Sequence, residues 1–330
     1  MRLLDIARSA KVSVTTVSRV VNEDPSVKAS TRARVRRTME ELNYYPNLHA
    51  RSLAGGRSKT FGFLASNLND PFFLDIYDKF EQLAQTQGYD SLVMSTHFDP
   101  EKLRAAIRLM IGRRVAGIAA MVSEMEPRIV AELSENGTPV VFCDVGHAGK
   151  RITNIRFDYR KGMRNLVEYF CSMGHRRLAY VSYPLPLWST EERRLSFEQT
   201  ASEYGAAAQV ICAGREGPLS GRKATRALLM SDCPPTAILC VNDITAIGVL
   251  KELSEQGVSV PRQVSVAGFG NIALGQYTIP SLTTIEIPRE EIAQLAIGAL
   301  LPGQDATVMG HEIPIEPELI VRQSSGPVTA

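Results

Sequence analysis

The sequence predicts a small all-α head joined to a larger α/β body, and three observations carry that expectation. Residues 1–22 hold two very short amphipathic helices about a tight turn. From residue 60 onward, short apolar runs alternate with amphipathic stretches. Charge divides unevenly: residues 1–58 carry 11 Lys+Arg against 5 Asp+Glu, and the remainder carries 26 against 30. The net charge of +2 therefore conceals a basic head on a mildly acidic body. Such asymmetry is expected when one small part bears the phosphate contacts to a nucleic acid.

In the head, Leu3, Ile6, Ala7 and Ala10 follow the spacing of one helical face. Ser13 stands where an N-cap belongs, and Val17, Val20 and Val21 form a second apolar stripe. Between them Thr15, Thr16, Ser18 and Arg19 make a short, polar, positive face with no acidic side chain to repel phosphate. This is either a helical hairpin with a solvated second helix, or a helix-turn-helix whose second helix enters a DNA major groove. A third helix is expected from near Ala29, with Val35, Met39 and Leu42 inward and Arg32, Arg34, Arg36 and Arg37 outward. It stops before Asn43-Tyr44-Tyr45-Pro46. Residues 47–54 are too few to hold a helix alone, and Gly55-Gly56-Arg57-Ser58 follows as a flexible run. The expected divisions are a headpiece over 1–46, a hinge helix and linker over 47–59, and a body over 60–330.

The body reads as strands at 60–65, 91–94, 115–120, 139–143, 177–182, 237–241 and 264–269, with helices over 75–87, 101–112 and 127–135 among them. Strand–helix alternation predicts parallel sheets covered by helices, here two doubly wound units meeting around Asp158. No run of 18 apolar residues occurs, so no membrane span is expected. The N-terminus opens directly into the first helix, without the apolar core of a signal peptide. The five cysteines are scattered with no CxxC pair, as small apolar residues of a reducing compartment. Catalytic signatures are missing: no GxSxG, HExxH or GxxxxGK[ST] is present, and Gly268-Phe269-Gly270 falls short of a dinucleotide fingerprint. His49, His97, His147, His175 and His311 are dispersed. Neither an enzyme, a cofactor nor a metal is expected.

The head becomes specific in four segments: Asp5-Ile6-Ala7, Val12 to Asn22, Glu41 to Asn47, and Ala50-Arg51-Ser52-Leu53. Their order and spacing resemble the headpiece and hinge of the lactose-repressor (LacI/GalR) family of bacterial transcription regulators, and the resemblance runs along nearly the whole chain. It implies a body like a type I periplasmic-binding-protein fold, whose chain crosses between lobes three times. Lobe 1 would then span about 60–158 and 289–320, and lobe 2 about 159–288 with the C-terminal tail. It further implies a cytoplasmic, nucleoid-associated homodimer that reads a palindromic double-stranded operator and answers to a small-molecule effector, with repression the expected outcome. A solute-binding module without a DNA role is the alternative for the body. Val14, Thr15 and Arg19 are expected at base edges, Ser13, Thr16 and Ser18 at phosphates, and Asn22 and Tyr44 complete the DNA-facing set. Ala50 and Leu53 belong to the hinge; Leu53 either wedges into the minor groove or packs on the third helix.

Small ligands bind at the carboxyl ends of parallel strands. At those ends stand Asn69, Phe72, Phe73, Ser123, Asp144, Trp188, Ser189, Arg193 and Asn242. The resemblance implies an aromatic wall from the loop 69–73 and an effector-binding arginine at Arg193. Phe72 and Phe73 could equally plug the lobe interface, and Asp144, Asn242 and Asp243 could cap following helices. One departure stands out: sugar-binding relatives usually carry an aspartate where this chain has Gly270. Losing a carboxylate while keeping Arg193 favours an anionic ligand. Gly268 to Asn271 and Gln276-Tyr277 resemble the gluconate-regulator branch, so a sugar acid or sugar is expected. The tail from Val321 has no heptad pattern, which predicts a dimer without a tail-linked tetramer.

Overall fold

A computed structural model describes residues 3–22, 24–44, 58–124, 129, 132–133, 137–144, 149, 151–184, 187–214, 217–301 and 310–328. The head (Met1–Ser58) and the body (Lys59–Ala330) pack as separate units. In the head, α1 (Leu3–Ser9) and α2 (Val14–Val21) flank a four-residue turn, and α3 (Ala29–Glu41) closes the unit. Ser13 Oγ accepts the Thr16 N–H at 3.1 Å, the bond its position predicts. Eight residues make a marginal helix alone. Burial of Val17 and Val20 against Ile6, Ala7, Ala10 and Val35 supplies what local propensity lacks, at about 1.5–3 kcal/mol per large aliphatic side chain. Ala50 and Leu53 lie outside the described residues.

The body begins with β1 (Thr60–Ala65), α4 (Pro71–Thr86), β2 (Asp90–Ser95), α5 (Pro100–Gly112), β3 (Ile118–Met121), β4 (Val140–Cys143) and β5 (Ile152–Phe157). There follow α6 (Tyr159–Ser172), β6 (Arg177–Ser182), α7 (Trp188–Glu203), β7 (Ala207–Cys212), α8 (Pro218–Leu229), β8 (Ala237–Cys240), α9 (Asp243–Glu255) and β9 (Ser265–Ala267). The chain ends through β10 (Thr284–Glu286), α10 (Arg289–Leu300), β11 (Glu312–Ile315) and β12 (Glu318–Ile320). One sheet has the order β11-β5-β4-β3-β1-β2 and the other β7-β6-β8-β9, every neighbour parallel. The doubly wound class is therefore as expected.

Some element bounds differ from the sequence reading. Helix α4 starts at Pro71, four residues earlier than the apolar pattern suggests, because Asp70 caps it through the Phe72 N–H at 2.9 Å and Pro71 needs no N–H partner. Helix α5 likewise gains Pro100 through its Asp99 cap. Most of the helix expected over 127–135 lies outside the described residues. Strands β5, β7 and β11 and the short paired strands β10 and β12 had no counterpart in the sequence reading.

Three connections join the lobes: β5 into α6, β10 into α10, and β11 into β12. Asp158 caps α6 at the first, accepting the Lys161 N–H at 2.9 Å. Buried apolar residues run continuously through these crossings from Phe61 and Phe63 in one lobe, by Phe157, Phe269 and Ile285, to Tyr180 and Phe197 in the other. In each sheet the strand order reverses beside the first strand, between β1 and β3 and between β6 and β8. Both crevices open at carboxyl ends, which is where such sheets receive ligands.

Candidate nucleic-acid interface and effector cleft

On the head, Ser13, Val14, Thr15, Arg19 and Asn22 are exposed, while Thr16 and Ser18 are half-buried. These residues share the surface of α2 opposite Val17 and Val20, so a short, acid-free face does project from the unit. Arg19 Nε lies 3.9 Å from Asp24 Oδ2, a loose surface pair that a guanine edge or phosphate can displace at little cost. Tyr44 behaves differently. Its N–H donates to Met39 O at 2.8 Å and its ring packs on the head core, so it is a half-buried anchor at the end of α3.

In the body, Phe72, Phe73, Ser123, Asp144, Trp188, Ser189, Arg193 and Asn242 all line one cleft between the lobes. Asn69 does not: it is exposed, its N–H turned back to Asn67 Oδ1 at 3.0 Å, and Asp70 takes the cleft position instead. Phe98, Tyr159, Tyr183 and Phe269 also line the cleft and were missed. Phe98 and Tyr183 follow strands β2 and β6, so extending the strand-end rule to every strand would have found them. Tyr159 carries no such signal, because it opens a helix at a lobe crossing.

Arg193 is the centre of the arrangement. It is only 7% exposed, and its guanidinium lies 4.9 Å from the Tyr159 ring centroid and 5.0 Å from that of Phe269. Nε donates to Ser189 O at 2.9 Å and Nη1 to Val241 O at 2.5 Å. Both acceptors are carbonyls; among the described residues no carboxylate pairs with Arg193, and Nη2 has no hydrogen-bond acceptor. The charge of Asp144 reaches this cation through space but makes no ion pair with it, so Nη2 is left to bond a ligand.

The nearby carboxylates are committed elsewhere. Among the described residues Asp144 caps no helix: Oδ1 accepts the Phe157 N–H at 2.5 Å and Oδ2 the Tyr159 hydroxyl at 2.6 Å, gripping the first lobe crossing. Burial pushes its carboxyl up to about 6, against the opposing pull of Tyr159, Phe157, Cys143 and Arg193. Burial likewise raises Tyr159 well above its ordinary value, so its hydroxyl stays a donor. Asp243 accepts Ile272 N–H at 2.7 Å and the Thr284 hydroxyl at 2.6 Å, and burial raises it to about 6 as well. Asn242 does cap α9, through Thr245 N–H at 2.9 Å, while its Nδ2 stands 3.5 Å from Asp70 Oδ2 in the opposite lobe.

Gly270 has a second explanation beside ligand charge. Its φ is +123°, where side chains are strained, and a Cβ there would lie 3.8 Å from Phe72 Cδ2 across the cleft. Among the described residues no group of His, Cys, Asp and Glu is arranged to hold a metal ion, and no helix is long and apolar enough to cross a membrane.

A helix-turn-helix head on a body of two parallel-sheet lobes with a cleft between them defines the class of DNA-binding regulators. Residues 2–47 match the family described as bacterial regulatory proteins of the lacI family, and residues 167–325 a periplasmic binding protein-like domain. The chain is 32% identical over 329 residues to the HTH-type transcriptional repressor PurR of Pectobacterium carotovorum subsp. carotovorum (strain PC1), covering 97% of this chain and 95% of that protein. It is 25% identical to a LacI-family transcriptional regulator from Silicibacter pomeroyi, with a TM-score of 0.86 and 98% and 99% of the two chains covered. It is 26% identical to the lac repressor dimer bound to operator and the anti-inducer ONPF, with a TM-score of 0.81 and 99% of each chain covered. The chain belongs to the LacI family of bacterial regulatory proteins.

Proposed function

We propose that this protein is a cytoplasmic, effector-controlled repressor that binds a palindromic operator as a homodimer, and that its effector is a sugar acid or a closely related anionic sugar derivative. Genes of carbohydrate or sugar-acid metabolism are the targets this implies. The observation that carries the effector class is Arg193: a nearly buried cation in the cleft wall, held by two carbonyls and two aromatic rings and, among the described residues, in no ion pair with a carboxylate. A ligand carboxylate at Nη2 accepts a charge-assisted hydrogen bond. Ser123, Ser189 and Asn242 offer polar groups for hydroxyls, and Phe72, Phe73 and Trp188 offer apolar faces for the ring.

On the DNA side, Val14, Thr15 and Arg19 read base edges while Ser13, Thr16 and Ser18 hold phosphates, with Asn22 and Tyr44 completing the DNA-facing set. Ala50 and Leu53 act in the hinge at the minor groove. An effector that differs in affinity for two lobe arrangements by about 1–3 kcal/mol suffices to switch occupancy. The test is binding of the purified protein to DNA flanking its own gene, with gluconate, other sugar acids and neutral sugars added in turn. Salt-sensitive binding to a palindrome, altered by a sugar acid alone, is the expected result. Tight calorimetric binding of neutral sugars with none of sugar acids would remove the anionic assignment.

A further inference from the structure

The cleft walls are tied by a side chain that does not line the cleft. Arg289 opens α10 in the first lobe, directly after the second crossing, and its side chain is only 16% exposed. Its Nη1 donates to Gly270 O at 2.6 Å, reaching the cleft wall of the opposite lobe. Its Nε stands 3.8 Å from Asp75 Oδ2 on α4, the helix that carries Phe72, Phe73 and Ile76 into the facing wall. Its Nη2 stands 3.7 Å from Glu286 Oε1 at the crossing itself. Glu286 in turn accepts from Asn271 Nδ2, and Asn271 Oδ1 accepts from Arg322 Nη2 at 2.6 Å, just beyond the third crossing.

We propose that Arg289 is a positioning residue for the effector site: its charge holds the Gly270 wall against the Phe72 wall, and so sets how far the cleft stands open before effector arrives. The lengths support a clasp that can let go. The short bond to Gly270 O is the one that crosses to the other lobe; the two ion pairs lie near the outer limit of such contacts, aim the guanidinium at that carbonyl and are screened by salt. Without Arg289, Asp75 and Glu286 lose the cation they share. An effector that binds a closed cleft then meets fewer competent molecules, and its apparent affinity falls in that proportion. The inference rests on reading the cleft as the effector site, but its test needs neither effector nor DNA and can fail by itself.

Trp188, the only tryptophan, lines the cleft at 41% exposure and reports on opening. Acrylamide, a neutral quencher, would be titrated into the full chain at low salt and in about 0.5 M NaCl, which shortens the screening length to a few ångströms. In Arg289→Gln the quenching constant is expected to rise about two-fold at low salt, and the wild type to approach that value in high salt. Arg289→Lys should recover most of the protection. Asp75→Asn should move the same way as Arg289→Gln, and the double variant no further than Arg289→Gln alone. Should Arg289→Gln not fold, Asp75→Asn and the wild-type salt titration carry the test. Quenching unchanged in these variants, or raised equally by Arg289→Lys and insensitive to salt, would overturn the proposal.

Discussion

Arg193 and Tyr159 stack with the guanidinium 4.9 Å from the ring centroid, and the Tyr159 hydroxyl donates to Asp144 at 2.6 Å. Arg193 is therefore one ring away from the carboxylate that grips the first lobe crossing, the route by which an effector at the proposed site would be felt there. Replacing Arg193 by Lys keeps the charge but loses the planar face and the fork of donors. Arg193→Lys is expected to weaken effector binding at least about ten-fold, roughly 1.4 kcal/mol, and to leave operator affinity without effector within about two-fold. Calorimetry and operator titration on the same preparation check both halves. A normal effector response from Arg193→Ala would show the pocket to be assigned wrongly.

Asp144 and Asp243 predict a pH dependence with a definite sign. Each is pushed to about 6 from an ordinary 3.8, so the folded chain binds the proton more tightly than the unfolded one. Their contribution to stability is complete below about pH 4 and is lost as pH rises through about 6, on the order of 1–2 kcal/mol each. Glu252 acts oppositely in a lower window: hydrogen bonds from Arg226, Gln256 and Arg222 hold it down at about 2, so its contribution is present above about pH 4.5 and is lost on acidification. Urea midpoints between pH 5 and 7 are thus expected to fall with rising pH by more in the wild type than in Asp243→Asn. Equal slopes in the two proteins would contradict the burial argument. If the proposed anionic effector occupies Arg193, the same ionisation of Asp144 is expected to make it bind more tightly at pH 5.5 than at 7.5, as calorimetry at the two pH values would show.

The sequence made much of this site legible, and the gaps have physical reasons. Strand ends could be read from apolar runs, which located Ser123, Asp144 and Asn242 in the cleft. Strand β5 was missed because Asn154 and Arg156 interrupt its apolar run, and β7 because it lies at a sheet edge, largely exposed. Asn69 is held exposed by the Asn67 side chain, whose Oδ1 accepts the Asn69 N–H, while Asp70 caps the helix and enters the cleft. The roles of Asp144 and Asp243 were out of reach, since their partners Tyr159 and Thr284 come from other elements. Gly270 is the sharper lesson: a missing aspartate reads as ligand chemistry in one dimension and as a positive φ in three.

That φ yields its own prediction. Gly270→Ala is expected to destabilise the body by about 1–2 kcal/mol, from backbone strain alone, since the Cβ meets Phe72 only at ordinary contact distance. A thermal melt checks this. An unaltered melt would place the backbone outside the left-handed region and return the absence of aspartate to ligand chemistry alone.

In α2 the cap Ser13 and Arg19, the residue proposed to read a base edge, should separate cleanly. Ser13→Ala removes the acceptor for Thr16 N–H and is expected to cost about 1 kcal/mol of head stability, with operator affinity falling for every sequence alike. Arg19→Ala leaves the cap intact and should instead lose about 1–3 kcal/mol at the cognate base pair, relaxing specificity there. Binding to a set of single-base operator variants distinguishes the two patterns. Uniform loss from both substitutions would mean that Arg19 contacts phosphate.

Pairing of two bodies is expected to depend on the turn after the short 3₁₀ helix Ala273–Gln276. Tyr277 and Ile279 there are 81% and 96% exposed, with Leu274 beside them half-exposed. Large apolar side chains this far out are costly on a monomer's surface and suit a self-complementary contact. Burying Ile279 against a second copy contributes about 1.5–3 kcal/mol per protomer, and a two-fold contact counts it twice. Ile279→Asp is therefore expected to shift light scattering from dimer towards monomer at micromolar concentration. Operator affinity should fall by a larger factor than for a single half-site, because the second head loses its effective concentration. A variant that stays dimeric and binds the operator normally would move the interface to another face of the body.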